Sequence, residues 1–260
     1  MIEKILRIKN LFISFGGLRA VDELDLDIEN GEIRGIIGPN GAGKTTIFNI
    51  ITGIYQPNRG KIFFDGEDIT SLPSHKIAKK GIGRTFQNIE LFPGLTVLDN
   101  VIIGQDMHRS YGFISSGFRP KRMLEEEKEA EEGARETLQF VGLDSHEGQL
   151  SKNLPFGKQR LLELARALFM KPKLLLLDEP GAGMNFQEIQ DLHRIILEIG
   201  QNKGITVILV EHIMELVMKI SDQITVLNYG KKIAEGTPAE VKNNEEVIKA
   251  YLGKAWKLKC

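Results

Sequence analysis

The chain has 260 residues, 42% hydrophobic and 27% charged, a size and balance that suit a folded protein with a sizeable core and exclude a disordered, fibrous or coiled-coil chain. Lys and Arg (34) against Asp and Glu (35) give a formal net charge of -1, so no overall positive field exists to hold nucleic acid or anionic lipid. No uninterrupted apolar run is longer than the four residues Leu174 to Leu177, against the roughly 18 needed to span a bilayer.

The basic residues Lys4, Arg7 and Lys9 precede Leu11 to Phe15, an apolar stretch too short for a secretory signal and without a small-residue cleavage site. The sole cysteine, Cys260, has no partner in the chain for a disulfide and fits a reducing compartment, so a cytoplasmic location is expected. Leu24, Leu26 and Ile28 alternate with Asp25, Asp27 and Glu29, the period-2 pattern of a strand with one wet face. Ile8 to Phe15 also reads as strand. Ile33 to Ile37 reads as a more buried strand that ends in a glycine-rich loop at Gly38, with a helix from about Lys44. Lys61 to Asp65 is a further strand closed by the turn dipeptide Asp65-Gly66, and Ile82 to Phe86 another.

Helical signals then take over. Thr96 and Asp99 form a capping-box pattern. Lys121 to Val141 is a long charged helix stopped by Gly142, and Gly157 to Met170 is a second, ended by Lys171-Pro172. The region from about Leu91 to Met170 therefore reads as an all-helical insertion. Alternation resumes with strand Leu174 to Leu177, helix Phe186 to Ile199, strand Thr206 to Val210 and helix Ile213 to Ile220. Ile224 to Leu227 and Lys231 to Ala234 form a hairpin about Tyr229-Gly230. Thr237, Pro238 and Glu240 open a final helix as N-cap, first-turn proline and capping-box acid. Strands alternating with helices predict an α/β fold with a parallel sheet covered on both faces.

Gly38-Pro39-Asn40-Gly41-Ala42-Gly43-Lys44-Thr45 matches G-x-x-x-x-G-K-[ST] between a buried strand and a helix. The glycines let backbone N–H groups curl around phosphate oxygens, the helix N-terminus adds partial positive charge, and Lys44 reaches the outer phosphates. Thr45 would ligate Mg²⁺ through its hydroxyl. Leu174 to Leu177 deliver Asp178 and Glu179 to a buried strand end, an expensive place for charge. A Mg²⁺ ion would justify Asp178, and an in-line attacking water would justify Glu179 as general base or water-positioning group.

The phosphate loop, Gln87 in Gly83 to Gln87, the segment Leu154 to Arg160, the Asp178-Glu179 pair and His212 follow one another in the order of an ABC-transporter ATPase, and the resemblance spans nearly the whole chain. Ser14 to Val21, Thr96 to Val101, the Gln105 to Pro120 insertion and the ending from Gly236-Thr237-Pro238 to Ala250-Tyr251-Leu252-Gly253 resemble the LivG-like ATPase subunits of branched-chain amino acid importers. The resemblance implies a P-loop NTPase fold with a parallel core sheet, an antiparallel β subdomain and a helical insertion. Residues 1–260 would be a single nucleotide-binding domain, with 1–90 and 171–260 as the α/β core and β subdomain and 91–170 as the helical part carrying the signature loop.

The resemblance also implies roles. Gly38 to Thr46 (including Ala42 and Thr46) would bind ATP, with Phe15 stacking on adenine. Lys44, Glu179 and His212 would be catalytic, and Thr45, Gln87 and Asp178 would hold Mg²⁺. Gln87 would also relay the nucleotide state to a membrane subunit. Leu154, Pro155, Phe156, Gly157 and Lys158 would form the signature loop, capping ATP held by the opposite subunit of a head-to-tail dimer, and Gly183 to Asn185 would be the D-loop. Implied partners are a second ATPase subunit (the same chain or a sister), transmembrane permease subunits and, indirectly, a solute-binding protein, but no nucleic acid. The implied location is the inner face of the cell membrane.

Some alternatives stand at this level. Phe15 shares a strand face with Leu11 and Ile13 and reads equally as core. Met214 and Met218 lie one helical turn apart and read as packing residues. Pro155 stands where the family usually has serine, which removes a hydroxyl and a backbone N–H; Phe156 and Lys158 replace a glycine and a glutamine. A nucleotide-dependent regulatory module with negligible hydrolysis is the alternative those changes raise, and another cargo, such as exported lipid or lipopolysaccharide, is a second. Glu125 to Glu132 reads as a solvated helix face, and the basic and aromatic His108 to Arg122 segment as a surface loop or a membrane-subunit contact.

Overall fold

The computed structural model describes residues 4–104, 121–212 and 214–252. Two long strands, β1 (Lys4–Phe15) and β2 (Leu18–Glu29), pair antiparallel across Gly16-Gly17. Leu24, Leu26 and Ile28 are buried while Asp25 and Glu29 are exposed, as their alternation requires. β3 (Ile33–Ile37) and α1 (Lys44–Ile51) flank the glycine loop. β4 (Arg59–Phe64) and β5 (Glu67–Asp68) then complete a four-stranded antiparallel sheet in the order β2-β1-β4-β5. Asp65, placed in the strand by its sequence, has instead entered the turn at a φ of 50°.

After α2 (Ser74–Lys79), β6 (Ile82–Arg84) is two residues shorter than its apolar pattern suggests. The described residues up to β7 (Leu174–Asp178) hold α3 (Val97–Ile102), α4 (Lys121–Phe140), α5 (Phe156–Phe169) and short 3-10 turns, plus one isolated bridge between Thr96 and Leu150. The Gln105 to Pro120 insertion lies outside the described residues. Thr96 caps α3 by accepting the Asp99 N–H, but its hydroxyl donates to the Asp99 carboxylate, which replaces the reciprocal backbone bond of a full box. Gly142, at a φ of 76°, follows α4, with the Leu143 N–H bonded back to the Leu138 carbonyl.

α6 (Phe186–Gln201), β8 (Thr206–Val210), α7 (Met214–Ile220), β9 (Gln223–Asn228) and β10 (Lys231–Gly236) follow; Ile213, expected to open α7, is outside the described residues. The single final helix is in fact two, α8 (Pro238–Lys242) and α9 (Glu245–Leu252). Asn244 divides them because its side chain caps α9, accepting the Glu246 N–H at 2.9 Å.

The second sheet runs β10-β9-β3-β8-β7-β6, parallel except for β10. β3, β7 and β8 are buried at every position, as strands covered on both faces must be. Ile36, Leu174, Leu176, Ile208 and Val210 pack with α1 and the antiparallel sheet. Ile37, Leu175, Leu177, Val207 and Leu209 face the helices, where Met214 and Met218 are packing residues as expected. Because β3, β7 and β8 are parallel neighbours, the segments leaving their C-terminal ends emerge together.

Phe48 of α1 is fully buried and lies 5.5 Å under the Arg84 guanidinium. Phe48→Ala should lower unfolding stability by about 3–5 kcal/mol, measured by denaturant titration.

Candidate functional site

The loop after β3 bends from Gly38 into α1 with no side chain capping the helix, which leaves the first-turn N–H groups free to meet an anion. Its curvature depends on close backbone approach. A methyl on Gly38 would fall 2.2 Å from the Leu227 carbonyl oxygen, and one on Gly43 would fall 2.3 Å from that of Ala20. Lys44 folds back into the loop, its Nζ donating to the carbonyls of Gly38 (2.7 Å) and Pro39 (3.1 Å). Burial pushes the Lys44 ammonium down from its usual range, opposed by the carboxylates of Glu179 and Asp178.

Asp178 ends β7 with no exposure at all. Its Oδ2 accepts from Arg84 Nη2 at 2.9 Å, while Oδ1 is buried without a hydrogen-bond partner among the described residues. Burial pushes this carboxyl up, and Arg84 opposes the shift. Arg84 is itself oriented by Asn49 Oδ1 (2.8 Å) and Thr52 Oγ1 (3.1 Å) of the α1 region. Glu179 follows at a φ of 51°, its N–H bonded to the Val210 carbonyl at 2.8 Å. Both carboxylate oxygens are engaged, Oε2 by Gln87 Nε2 at 3.0 Å and Oε1 by His212 Nε2 at 2.6 Å. Glu211, buried beside them, accepts the N–H groups of Gly181 (2.7 Å) and His212 (3.0 Å), which ties the turn after β7 to the end of β8.

These groups share one open cleft of about 1060 Å³ lined by Phe15, Asn40 to Thr46, Gln87, Glu179, His212 and Tyr229, among others. Phe15 is not core: Leu11 and Ile13 are buried but Phe15 is 45% exposed, edge-on to Tyr55 with centroids 5.2 Å apart. Asp178 sits behind the cleft rather than in its wall. Leu154 to Lys158 do not line it. Leu154 is buried, Pro155 is the N-cap residue of α5, Phe156 packs on Gly183, and the Lys158 ammonium is held 2.6 Å from His146 Nε2.

A cleft with an uncapped helix start, a buried lysine, paired carboxylates and a histidine is built for phosphoryl chemistry. Residues 21–182, more than half of the chain, match the family model described as ABC transporter. The chain belongs to the ABC transporter family. Residues 231–257 of this ABC cassette match a second model, described as branched-chain amino acid ATP-binding cassette transporter. The cassette is similar to the high-affinity branched-chain amino acid transport ATP-binding protein BraF of Pseudomonas aeruginosa, at 45% identity over 98% of this chain and 100% of the relative. Its identity to LivG of Escherichia coli, which carries the same description, is 41% over the same shares. Among solved structures it resembles the ADP conformation of an ATP-binding cassette of an ABC transporter, with a TM-score of 0.84 and 33% identity over 97% of this chain and all of the other.

Several residues of the ABC cassette shape the site although the sequence assigns them no role of their own. Arg160 of α5 donates to the carbonyls of Phe86 (2.9 Å) and Gln87 (2.6 Å), and Glu163 accepts the Phe86 N–H at 3.0 Å. Arg160 ends the segment Leu154 to Arg160 that resembles the family, but the sequence shows its pairing with Glu163 only as two charges three residues apart on one helix. Arg84 shows as a lone charge ending an otherwise apolar strand. Tyr251 of α9 meets the Gly38 backbone N–H, and burial pushes its phenol up to about 12.

Burial also pushes the Glu163 carboxyl up, opposed by the Phe86 N–H and Arg160. Glu163→Gln keeps an acceptor for Phe86 and should cost about 1 kcal/mol, whereas Glu163→Ala strands that N–H and should cost about 3 kcal/mol. Thermal unfolding of the two variants checks the difference.

Proposed function

We propose that this chain is the ATP-binding and hydrolysing subunit that powers an importer for branched-chain amino acids. The observation that carries this reading is the convergence of Lys44, Glu179 and His212, from the ends of β3, β7 and β8, on one cleft. The cargo follows from the descriptions of the relatives and from the match of residues 231–257. The substrate is ATP, its phosphates received by the N–H groups of Gly41 and Gly43 to Thr46 and by Lys44, which exchanges the carbonyls of Gly38 and Pro39 for phosphate oxygens. Phe15 offers a ring face to the base.

The donor set fits Mg²⁺. Asp178 has a buried oxygen with no partner, Thr45 brings a hydroxyl, and no group of three or more acidic, histidine or cysteine side chains gathers around a metal position among the described residues. Mg²⁺ keeps several waters and takes phosphate oxygens, so two or three protein groups suffice. Bound there, it would neutralise charge on the transferring phosphoryl group. Asp178, Thr45 and Gln87 would hold it.

Glu179 accepts the proton of the attacking water, and Gln87 and His212 keep its carboxylate aimed through their bonds to its two oxygens. His212 would also contact the γ-phosphate. Leu154 to Lys158, outside this cleft, would serve a nucleotide on a second ATPase subunit in a head-to-tail dimer, so closure on Mg-ATP brings two chains together and moves the permeases. Among the described residues no helix is long and apolar enough to cross a membrane. The place of the chain would be peripheral, on the inner face of the cell membrane beside separate permeases.

Glu179→Gln should retain ATP binding and lose turnover by about 100-fold or more; near-normal phosphate release would remove Glu179 from its role. Lys44→Ala should weaken ATP binding by roughly 10- to 100-fold, read by equilibrium titration. Copurification with its permeases and ATPase stimulation by a loaded leucine or valine receptor tests the cargo, and stimulation by another cargo alone would refute it.

A further inference from the structure

Tyr229 is anomalous in two ways. It is 83% exposed, and its φ is 47°, a left-handed conformation that disfavours any residue with a Cβ. It occupies the first central position of the turn joining β9 and β10, with Asn228 paired to Lys231 and Gly230 at a φ of 79°. A two-residue hairpin turn with both central residues at positive φ prefers Asn, Asp or Gly at that position. The hairpin itself has no need of a tyrosine.

The turn is fastened to the phosphate loop. Gly230 donates its N–H to the Ala42 carbonyl at 3.0 Å and accepts the Asp22 N–H at 2.8 Å. Tyr229 thereby becomes part of the wall of the cleft that contains the loop. Among the residues of that wall, which also include Arg19, two chemical sets stand out. Lys44, Thr45, Gln87, Glu179 and His212 are polar or charged and suit phosphates, whereas Phe15, Leu18 and Tyr229 are large, apolar-faced and 45%, 72% and 83% exposed. An aromatic face left in water beside a phosphate site is suited to a nucleobase.

We propose that Tyr229 contacts the base of the bound nucleotide and, with Phe15, sets a preference for purine over pyrimidine nucleoside triphosphates. Its unfavourable backbone conformation is kept because the ring is used. The inference rests on the reading of this cleft as the ATP site.

The test is Tyr229→Asn and Tyr229→Gly, both suited to the turn, beside Tyr229→Phe, which keeps the ring. Titrations use ATP, CTP and inorganic triphosphate, with thermal unfolding of the nucleotide-free chain. The Asn and Gly variants should bind ATP about tenfold more weakly, lose most of the ATP-over-CTP preference and bind triphosphate unchanged, while Tyr229→Phe stays near wild type. Tyr229→Asn should at the same time raise Tm by about 2–4 °C. Loss of nucleotide affinity together with a gain in stability is an outcome that a purely structural tyrosine does not give. Wild-type ATP affinity and base preference in both variants, or equal losses for ATP, CTP and triphosphate, would overturn the inference while leaving the ATP site intact. Failure of the wild-type chain to bind ATP would instead remove the underlying reading.

Discussion

Asp178 is a carboxylate held without exposure at the end of a strand buried on both faces. An unpaired charge there would cost several kcal/mol, and its neighbours are arranged to prevent that. Arg84 reaches it from β6, which lies beside β7 with Arg84 paired to Leu176. The same guanidinium is fixed by Asn49 and Thr52 and lies over Phe48, all from the α1 region. One ion pair therefore sets the spacing between the helix that follows the phosphate loop and the strand that delivers the carboxylates. Lys44 and Glu179 complete a cluster of two cations and two anions, with one Asp178 oxygen unengaged among the described residues.

The phosphate loop is shaped from behind. The Leu227 carbonyl lies against Gly38 and the Ala20 carbonyl against Gly43; Gly230 bonds to Ala42, and Tyr251 reaches the Gly38 N–H. β2, the β9–β10 turn and α9 thus hold the backbone curved while the first N–H groups of α1 stay free of side-chain caps. Pre-organised donors of this kind need no rearrangement when an anion arrives. Of these supports only Tyr251 lies within residues 231–257, the segment similar to branched-chain cassettes.

α5 links the two halves of the site. Its first turn carries Phe156, Gly157 and Lys158, with Phe156 against Gly183. One turn further on, Arg160 and Glu163 grip the backbone on either side of Phe86 and Gln87, and Gln87 in turn holds Glu179. Two sets of hydrogen bonds thus connect α5 to the Glu179 carboxylate. The cation–π contact of Arg160 with Phe156, at 5.4 Å, ties the start of the helix to the same clasp.

The phosphate loop, the apolar strand ending in Asp178-Glu179, the histidine after β8 and the alternating strands were legible in the amino-acid sequence, because each depends on neighbours within a few residues. Short spacing dictates which N–H groups face a phosphate and which strand ends in a carboxylate. Even the Thr237 capping box is local. The division of the last helix at Asn244 is a local cap as well, whereas the exposure of Phe15, the Arg84 pair with Asp178, the Arg160 and Glu163 clasp, the buried Glu211 and the Tyr251 contact were decided only by the tertiary structure. Their partners lie tens of residues away, or their exposure depends on what another element covers, and local propensity holds no record of either.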